Sequence, residues 1–321
     1  MKHLVLIDGH HLMYRAYYAL PPTFKTKRGE QTNAVFGVAS MILALLKAEE
    51  PDALLFCFDA GEETFRHQEL ETYKEGRAET PEEFYLQIPR IIEVIDAFSF
   101  AYVSDLQYEA DDFLCSYARA AERAGMQVTV VTGDRDALQL ASAKIRIAIP
   151  HKGYQKTEYL GPKEIEEKFG VTPGQITSYK GLIGDASDNL QGVRGIGPKT
   201  ASELLRKYHS LEGIYAHLDE VKATIRGKLT QDREQAFFCA RLAELVCDIP
   251  LPIPLKDLRL RSIPVEPALM LFQELEFTVL QKRLQEFCET PYGEKHFILS
   301  TEHGIAPPRG PLIEDQLPLF N

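Results

Sequence analysis

The chain has 321 residues, 45% of them hydrophobic, and 36 Lys and Arg against 47 Asp and Glu give a formal net charge of −11. This length predicts two domains or one large one with a full core, and the acidic balance argues against a nonspecific nucleic-acid coat without excluding a local basic face. The five cysteines show no CxxC spacing and read as small buried hydrophobes in a reducing compartment, while the apolar run at residues 4–7 is too short for a leader or a membrane span.

A soluble, cytoplasmic protein with no membrane partner is expected. Residues 3–9 read as a buried strand that ends in Asp8 and a glycine turn. Near-continuous apolar runs of this kind belong to parallel strands covered on both faces. A helix at about 11–19, a polar loop at 23–31 and a helix at about 33–48 lead to a second strand, 53–58, which ends in Asp59. Two further β-like runs lie at 100–103 and 127–131, the latter followed by Thr132-Gly133-Asp134-Arg135-Asp136. Alternating strands and helices predict a twisted, largely parallel sheet with helices on both sides.

Between the last two runs stands Tyr108-Glu109-Ala110-Asp111-Asp112, three carboxylates at the start of an amphipathic helical pattern. Alone, they could simply offset a helix dipole, and each strand-end aspartate could be turn chemistry. Ligands of open α/β sheets, however, bind outside the carboxyl ends of the strands. Asp8, Asp59, Asp134 and Asp136 lie at such ends, and Glu109, Asp111 and Asp112 follow the third strand at the same edge. So many converging carboxylates repel one another unless hard, oxygen-seeking cations such as Mg²⁺ or Mn²⁺ hold them. No His/Cys spacing suggests zinc.

Residues 62–90 interleave cationic and aromatic side chains, in Phe65-Arg66-His67, Tyr73-Lys74-Glu75-Gly76-Arg77 and Arg90. Composition alone fits equally a solvated amphipathic helix and a gate that contacts phosphates and stacks bases; the position beside the carboxylates favours the gate.

From about residue 160 the pattern is helical throughout. Gly161-Pro162 and Thr172-Pro173 open helices. A helix at 175–182 runs into a loop carrying Asp185 and Asp188, an i,i+3 carboxylate pair. Gly192, Arg194, Gly195, Gly197, Lys199 and Thr200 follow at once, a glycine-punctuated turn that lets backbone N–H groups approach a phosphate. This is a helix-hairpin-helix signature at about 189–207; GxxxxGK[ST] is absent, which argues against an ATP loop. Helical runs at 233–246 and 265–287 show plain core periodicity.

These stretches, in order across about the first 250 residues, resemble the 5′-nuclease domain of bacterial DNA polymerase I and, more distantly, the flap endonucleases. The match runs through Leu6 to Leu12, Phe58-Asp59-Ala60, the Arg66 and Lys74 motifs, Tyr108 to Asp112, Thr132 to Asp136, and Gly184 to Ala201. The resemblance implies an α/β fold, a PIN-like twisted mostly parallel sheet over 1–159, with a helical arch at about 62–90. An all-α helix-hairpin-helix domain over 160–288 and a flexible tail at 289–321 would follow.

It also implies hydrolysis of phosphodiester bonds in branched or nicked duplex DNA with a 5′ flap, by a monomer using two Mg²⁺ (or Mn²⁺) ions. Asp59, Glu109, Asp111, Asp112, Asp134, Asp136 and Asp188 would hold the ions, with Asp8 and Asp185 nearby. Lys74 and Arg77 would stabilise charge on the phosphate, Arg66 and Tyr73 would meet DNA, and the hairpin would grip the duplex with a K⁺ ion. Nothing in the sequence corresponds to a polymerase domain, so an excised fragment and a free-standing nuclease are the two readings. Gln316, Leu317, Leu319 and Phe320 near the end look like the bacterial sliding-clamp-binding peptide, which favours the second; a disordered tail is the alternative. A phosphomonoesterase acting on small molecules, or an inactive DNA-structure-binding scaffold, are the rival functions.

Overall fold

The computed structural model describes residues 1–60, 66, 69, 70, 72, 73 and 80–298. Six strands form one sheet: β1 (His3–Asp8), β2 (Ala53–Asp59), β3 (Ala101–Asp105), β4 (Gln127–Val131), β5 (Ile145–Pro150) and β6 (Thr157–Leu160), in the order β3-β2-β1-β4-β5-β6. The first five run parallel, so the carboxyl ends of β1, β2 and β4 share one edge.

The expectation of a PIN-like sheet is corrected here. The sheet is mixed, because β6 returns antiparallel to β5. The physical reason is the connection at residues 151–156, too short for the crossover that a parallel neighbour needs. The second half is also not purely helical: Ile263–Pro264 and Phe297–Ile298 form a small parallel pair.

Both faces of the sheet are covered, which explains the continuous apolar runs. Successive side chains of β1 alternate between two cores. Leu4 and Leu6 pack with α4 (Ala110–Arg123) and the helices beyond residue 160, whereas Val5 and Ile7 pack with α1 (Gly9–Ala19), α2 (Asn33–Glu49) and α3 (Ile88–Ala97). The C-terminal helices, Glu266–Glu274 and Thr278–Cys288, belong to this second core. They are two helices rather than the single run expected at 265–287, because Glu276 adopts a left-handed φ of 61° between them.

Beyond the sheet, α5 (Pro162–Phe169), α6 (Ile176–Ile183), α7 (Pro198–Tyr208), α8 (Leu211–Ala216), α9 (Ala223–Gln231) and α10 (Arg233–Leu242) form the helical half. The turn from α6 to α7 is closed by paired backbone hydrogen bonds between Asp185 and Leu190, both 2.8 Å. Gly192 is required there: a Cβ would stand 2.2 Å from the Gly184 nitrogen and 2.6 Å from the Leu182 oxygen. Among the described residues, no helix is long and apolar enough to cross a membrane.

Candidate metal centre and nucleic-acid interface

The strand ends meet the helical half around a crevice of about 1400 Å³, and Asp8, Asp59, Asp111, Asp134 and Asp185 line it. Asp8, Asp59 and Asp134 are each fixed by a backbone N–H. Asp8 ends β1 and caps α1, accepting the His11 N–H at 2.9 Å and the Thr132 hydroxyl at 2.7 Å. This ties β1 to the turn after β4. Asp59 accepts the Ala110 N–H at 2.7 Å, fastening the end of β2 to the first turn of α4. In the next turn Asp134 accepts the Asp136 N–H at 2.8 Å, and Gly133 leaves room for the His11 ring, since a Cβ there would come within 2.0 Å of it.

Asp136, Asp185 and Asp188 bring carboxylate oxygens within 4.8 Å of one another. Lys180 is buried among them, its ammonium facing Asp136 and donating to Asp185 at 2.5 Å. Burial pushes the Asp136 carboxyl up to about 7, with Lys180 opposing and Asp134 and Asp188 adding. Asp8 is likewise raised to about 7 by burial, reinforced by the charges of Asp59 and Asp134 against its two hydrogen bonds. Burial works against the Lys180 charge, but Asp136, Asp134 and Asp185 more than compensate and hold it protonated. The donor set is all oxygen, crowded and short of positive charge, so it suits hard divalent cations.

The three carboxylates at the start of α4 do not act alike. Asp111 lines the crevice. Glu109 and Asp112 cap the helix reciprocally, the Glu109 N–H donating to Asp112 at 3.2 Å. Asp112 is fully buried and forks onto Arg66 at 2.8 and 3.0 Å, and it also accepts the Val246 N–H at 2.9 Å. Glu109 lies 3.6 Å from the same guanidinium. The helix start therefore presents one carboxylate to the crevice and turns another to a buried arginine.

Arg66 and Tyr73, expected to meet DNA, are turned inward. Arg66 also donates to the Leu242 and Glu244 carbonyls, and Tyr73 packs with Leu190, Cys239 and Leu242. The Asn189 amide reaches the Thr72 carbonyl at 3.0 Å, so the loop after Asp188 touches the same segment. Lys74 and Arg77, like Gln316, Leu317, Leu319 and Phe320, lie outside the described residues.

In the hairpin, Gly195 takes a left-handed φ of 76° and Gly197 caps α7, with Lys199 exposed at the crevice rim and Thr200 half-buried in its first turn. Arg194 is engaged by Asp232, Nη2 to Oδ1 at 2.8 Å. Sequence reasoning missed Lys180, whose signal was its place five residues before Asp185, and His10 and His11, which follow Asp8-Gly9 into the crevice. Burial, with the Arg15 charge, pulls His11 down to about 4, so it is neutral near pH 7.

The family described as 5′-3′ exonuclease, N-terminal resolvase-like domain, matches residues 3–170, and the 5′-3′ exonuclease C-terminal SAM fold matches residues 171–266. DNA polymerase I of Bacillus subtilis is 41% identical over 286 residues, covering 89% of this chain and 32% of that protein. The chain thus spans about a third of the length of this relative. The solved structure of a T5 5′-exonuclease with bound zinc shares the fold, with a TM-score of 0.63 at 20% identity over 90% of this chain and 99% of that one. A bacteriophage T5 flap endonuclease in a pseudo-enzyme-product complex with DNA and metal ions gives a TM-score of 0.61 at 20% identity, covering 92% of this chain and 100% of that one. These likenesses point to the 5′-nuclease fold and not to a PIN-like one. The chain belongs to the 5′-3′ exonuclease family, whose N-terminal and C-terminal domain models together match residues 3–266.

Proposed function

We propose that this chain is a structure-specific 5′-nuclease that cuts phosphodiester bonds where a 5′ single strand joins a duplex, in removing flaps or primers. The observation that carries the reading is the continuity of the Asp185 to Asp188 loop with the hairpin at Gly192 to Lys199: the residues closing the carboxylate cluster run straight into a backbone suited to gripping phosphates.

Asp111, Asp134, Asp136, Asp185 and Asp188, with Asp8 and Asp59 beside them, are the residues that would hold two Mg²⁺ or Mn²⁺ ions. Bound there, such ions lower the pKa of an attacking water and steady the departing 3′ oxygen. Lys180 balances part of the negative charge and keeps the cluster compact. Lys199 and the backbone around Gly195 position the duplex, where a K⁺ ion fits the same role. Glu109 and Asp112 act from one step further out, by seating Arg66. Contacts of Lys74 and Arg77 with the phosphate, and of the peptide at 316–320 with a sliding clamp, are proposals resting on the sequence.

The test is a 5′-labelled flap duplex, an unbranched duplex and a 3′ flap, each incubated with and without Mg²⁺. Cleavage confined to the 5′ flap, dependent on Mg²⁺ and lost in Asp111→Ala, is expected. Equal cutting by wild type and Asp111→Ala would sink the proposal.

A further inference from the structure

The described residues include one disulfide, between Cys115 and Cys247, whose Cα atoms lie 4.9 Å apart across 132 residues of sequence. Cys115 is buried on α4, one turn beyond Asp111, and Cys247 is half-buried on the segment that follows α10. That segment is a strap laid along α4. The Val246 N–H donates to Asp112 at 2.9 Å, the Ser116 hydroxyl donates to the Val246 carbonyl at 3.3 Å, and the Ile249 N–H donates back to Ser116 at 3.3 Å. Further on, Tyr117 and Ile253 exchange hydrogen bonds at 2.8 and 3.0 Å. Leu242, the last residue of α10, and Glu244 at the head of the strap supply the carbonyls that hold the Arg66 guanidinium. One covalent bond therefore fixes the strap to the helix that carries the crevice carboxylate Asp111, and with it one wall of the Arg66 seat.

We propose that Cys115–Cys247 is a reversible redox site that sets how firmly this strap, and so the Arg66 seat, is held. In a reducing compartment a disulfide of this kind responds to the redox state rather than serving as a permanent staple. Cys247, the more exposed of the two residues, is the one that a thiolate attacks. A dithiol such as dithiothreitol attacks it to form a mixed disulfide and release the Cys115 thiolate, which takes up a proton. The second thiol of the reagent then closes the reagent's own ring and frees Cys247. Two electrons and two protons pass from the reagent to the protein, and a small disulfide such as oxidised glutathione reverses the exchange.

In the dithiol state the strap keeps its hydrogen bonds but loses its covalent anchor, which frees the unfolded chain between residues 115 and 247 and also lets the folded strap lift locally from α4. The Arg66 seat then opens more often, which loosens Arg66 and the Tyr73 ring that packs beside it on Leu242. The kinetic part of this inference rests on the nuclease reading; the thiol and stability parts do not.

The experiment uses the full chain, oxidised with glutathione disulfide or reduced with dithiothreitol, and the variant Cys247→Ser. Thiol titration in denaturant should count three free cysteines in the oxidised protein and five in the reduced one. Reduction should lower the melting temperature by about 5 °C and raise KM for a 5′ flap about fivefold, the equivalent of a weakened charge-assisted hydrogen bond, with kcat little changed. Cys247→Ser should match the reduced protein and ignore dithiothreitol. Five free thiols after oxidation, or equal melting temperatures and KM values in the two states, would overturn the proposal. Absence of any flap cleavage in both states would count against the nuclease reading alone, and the thiol count and melting temperatures would still decide the redox site.

Discussion

The Arg66 guanidinium forks onto both oxygens of Asp112, 2.8 and 3.0 Å away, with Arg66 2% exposed and Asp112 not exposed at all. This pair joins the segment after β2 to α4, and the strap carbonyls complete it. Asp112→Ala would strip the buried guanidinium of its bidentate partner, leaving Glu109 at 3.6 Å and the two carbonyls, and is expected to cost about 3 kcal/mol of stability. Urea unfolding of the metal-free protein measures this; a loss under about 1 kcal/mol, the range of an exposed pair, would show that the pair is not structural.

Asp111, its sequence neighbour, should behave in the opposite way. It lines the crevice, so Asp111→Asn removes a ligand and one of several mutually repelling charges. Flap cleavage is expected to fall at least about a hundredfold, as when a group stabilising the transition state is removed, while the metal-free protein melts no lower than wild type. Parallel melting and single-turnover assays separate the two neighbours.

How much of this was legible in the sequence follows from the range of each interaction. Asp8 and Asp59 could be placed because apolar runs announce buried strands and the aspartates close them. The hairpin could be placed because its glycines and Lys199 lie within a few residues. The division of labour between Asp111 and Asp112 could not, since it depends on Arg66, 46 residues away, and on the Val246 N–H, 134 residues away. The Cys115–Cys247 bond was hidden for the same reason, as both cysteines sit in apolar patterns that suit plain burial equally well. The strands β5 and β6 were missed because Arg146 and the short connection after Pro150 broke the expected rhythm of strand and helix.

The acidity of the crevice predicts an unusual pH dependence. Asp8 and Asp136 titrate near about 7 in the folded chain and at about 3.8 when unfolded. Between those values the folded state holds more protons, so their contribution to stability falls as pH rises through this window. With a chelator present, the melting temperature should be lower at pH 8 than at pH 5, and added Mg²⁺ should restore it at pH 8. A melting temperature that rises with pH in the chelated protein would contradict this account of the crevice.

Lys199 and Arg194 are both hairpin cations, yet they differ in what already holds them. Lys199 is exposed at the crevice rim, whereas Arg194 is bound at two points by Asp232. Lys199→Ala should weaken flap binding and lower the salt slope by about one; Arg194→Ala should change the slope less. Fluorescence anisotropy over a salt series, in Ca²⁺ to prevent cutting, measures both.

Gly192 packs against the backbone of α6 too closely for any side chain. Gly192→Ala is expected to shift the turn that carries Asp185 and Asp188, lowering stability by about 1–3 kcal/mol, as overpacking of a tight site does, and weakening flap affinity in step. Unchanged affinity in a destabilised variant would separate the hairpin from the carboxylate cluster.

The central claim is that an oxygen-only crevice closed by Asp136, Asp185 and Asp188 holds divalent ions. Calorimetric titration of Mn²⁺ into the metal-free protein at pH 7.5 tests it most directly, comparing wild type with Asp188→Asn. Saturable binding by wild type, weakened more than about tenfold in a variant that still folds, is the predicted result. Identical Mn²⁺ binding by the two proteins would contradict it.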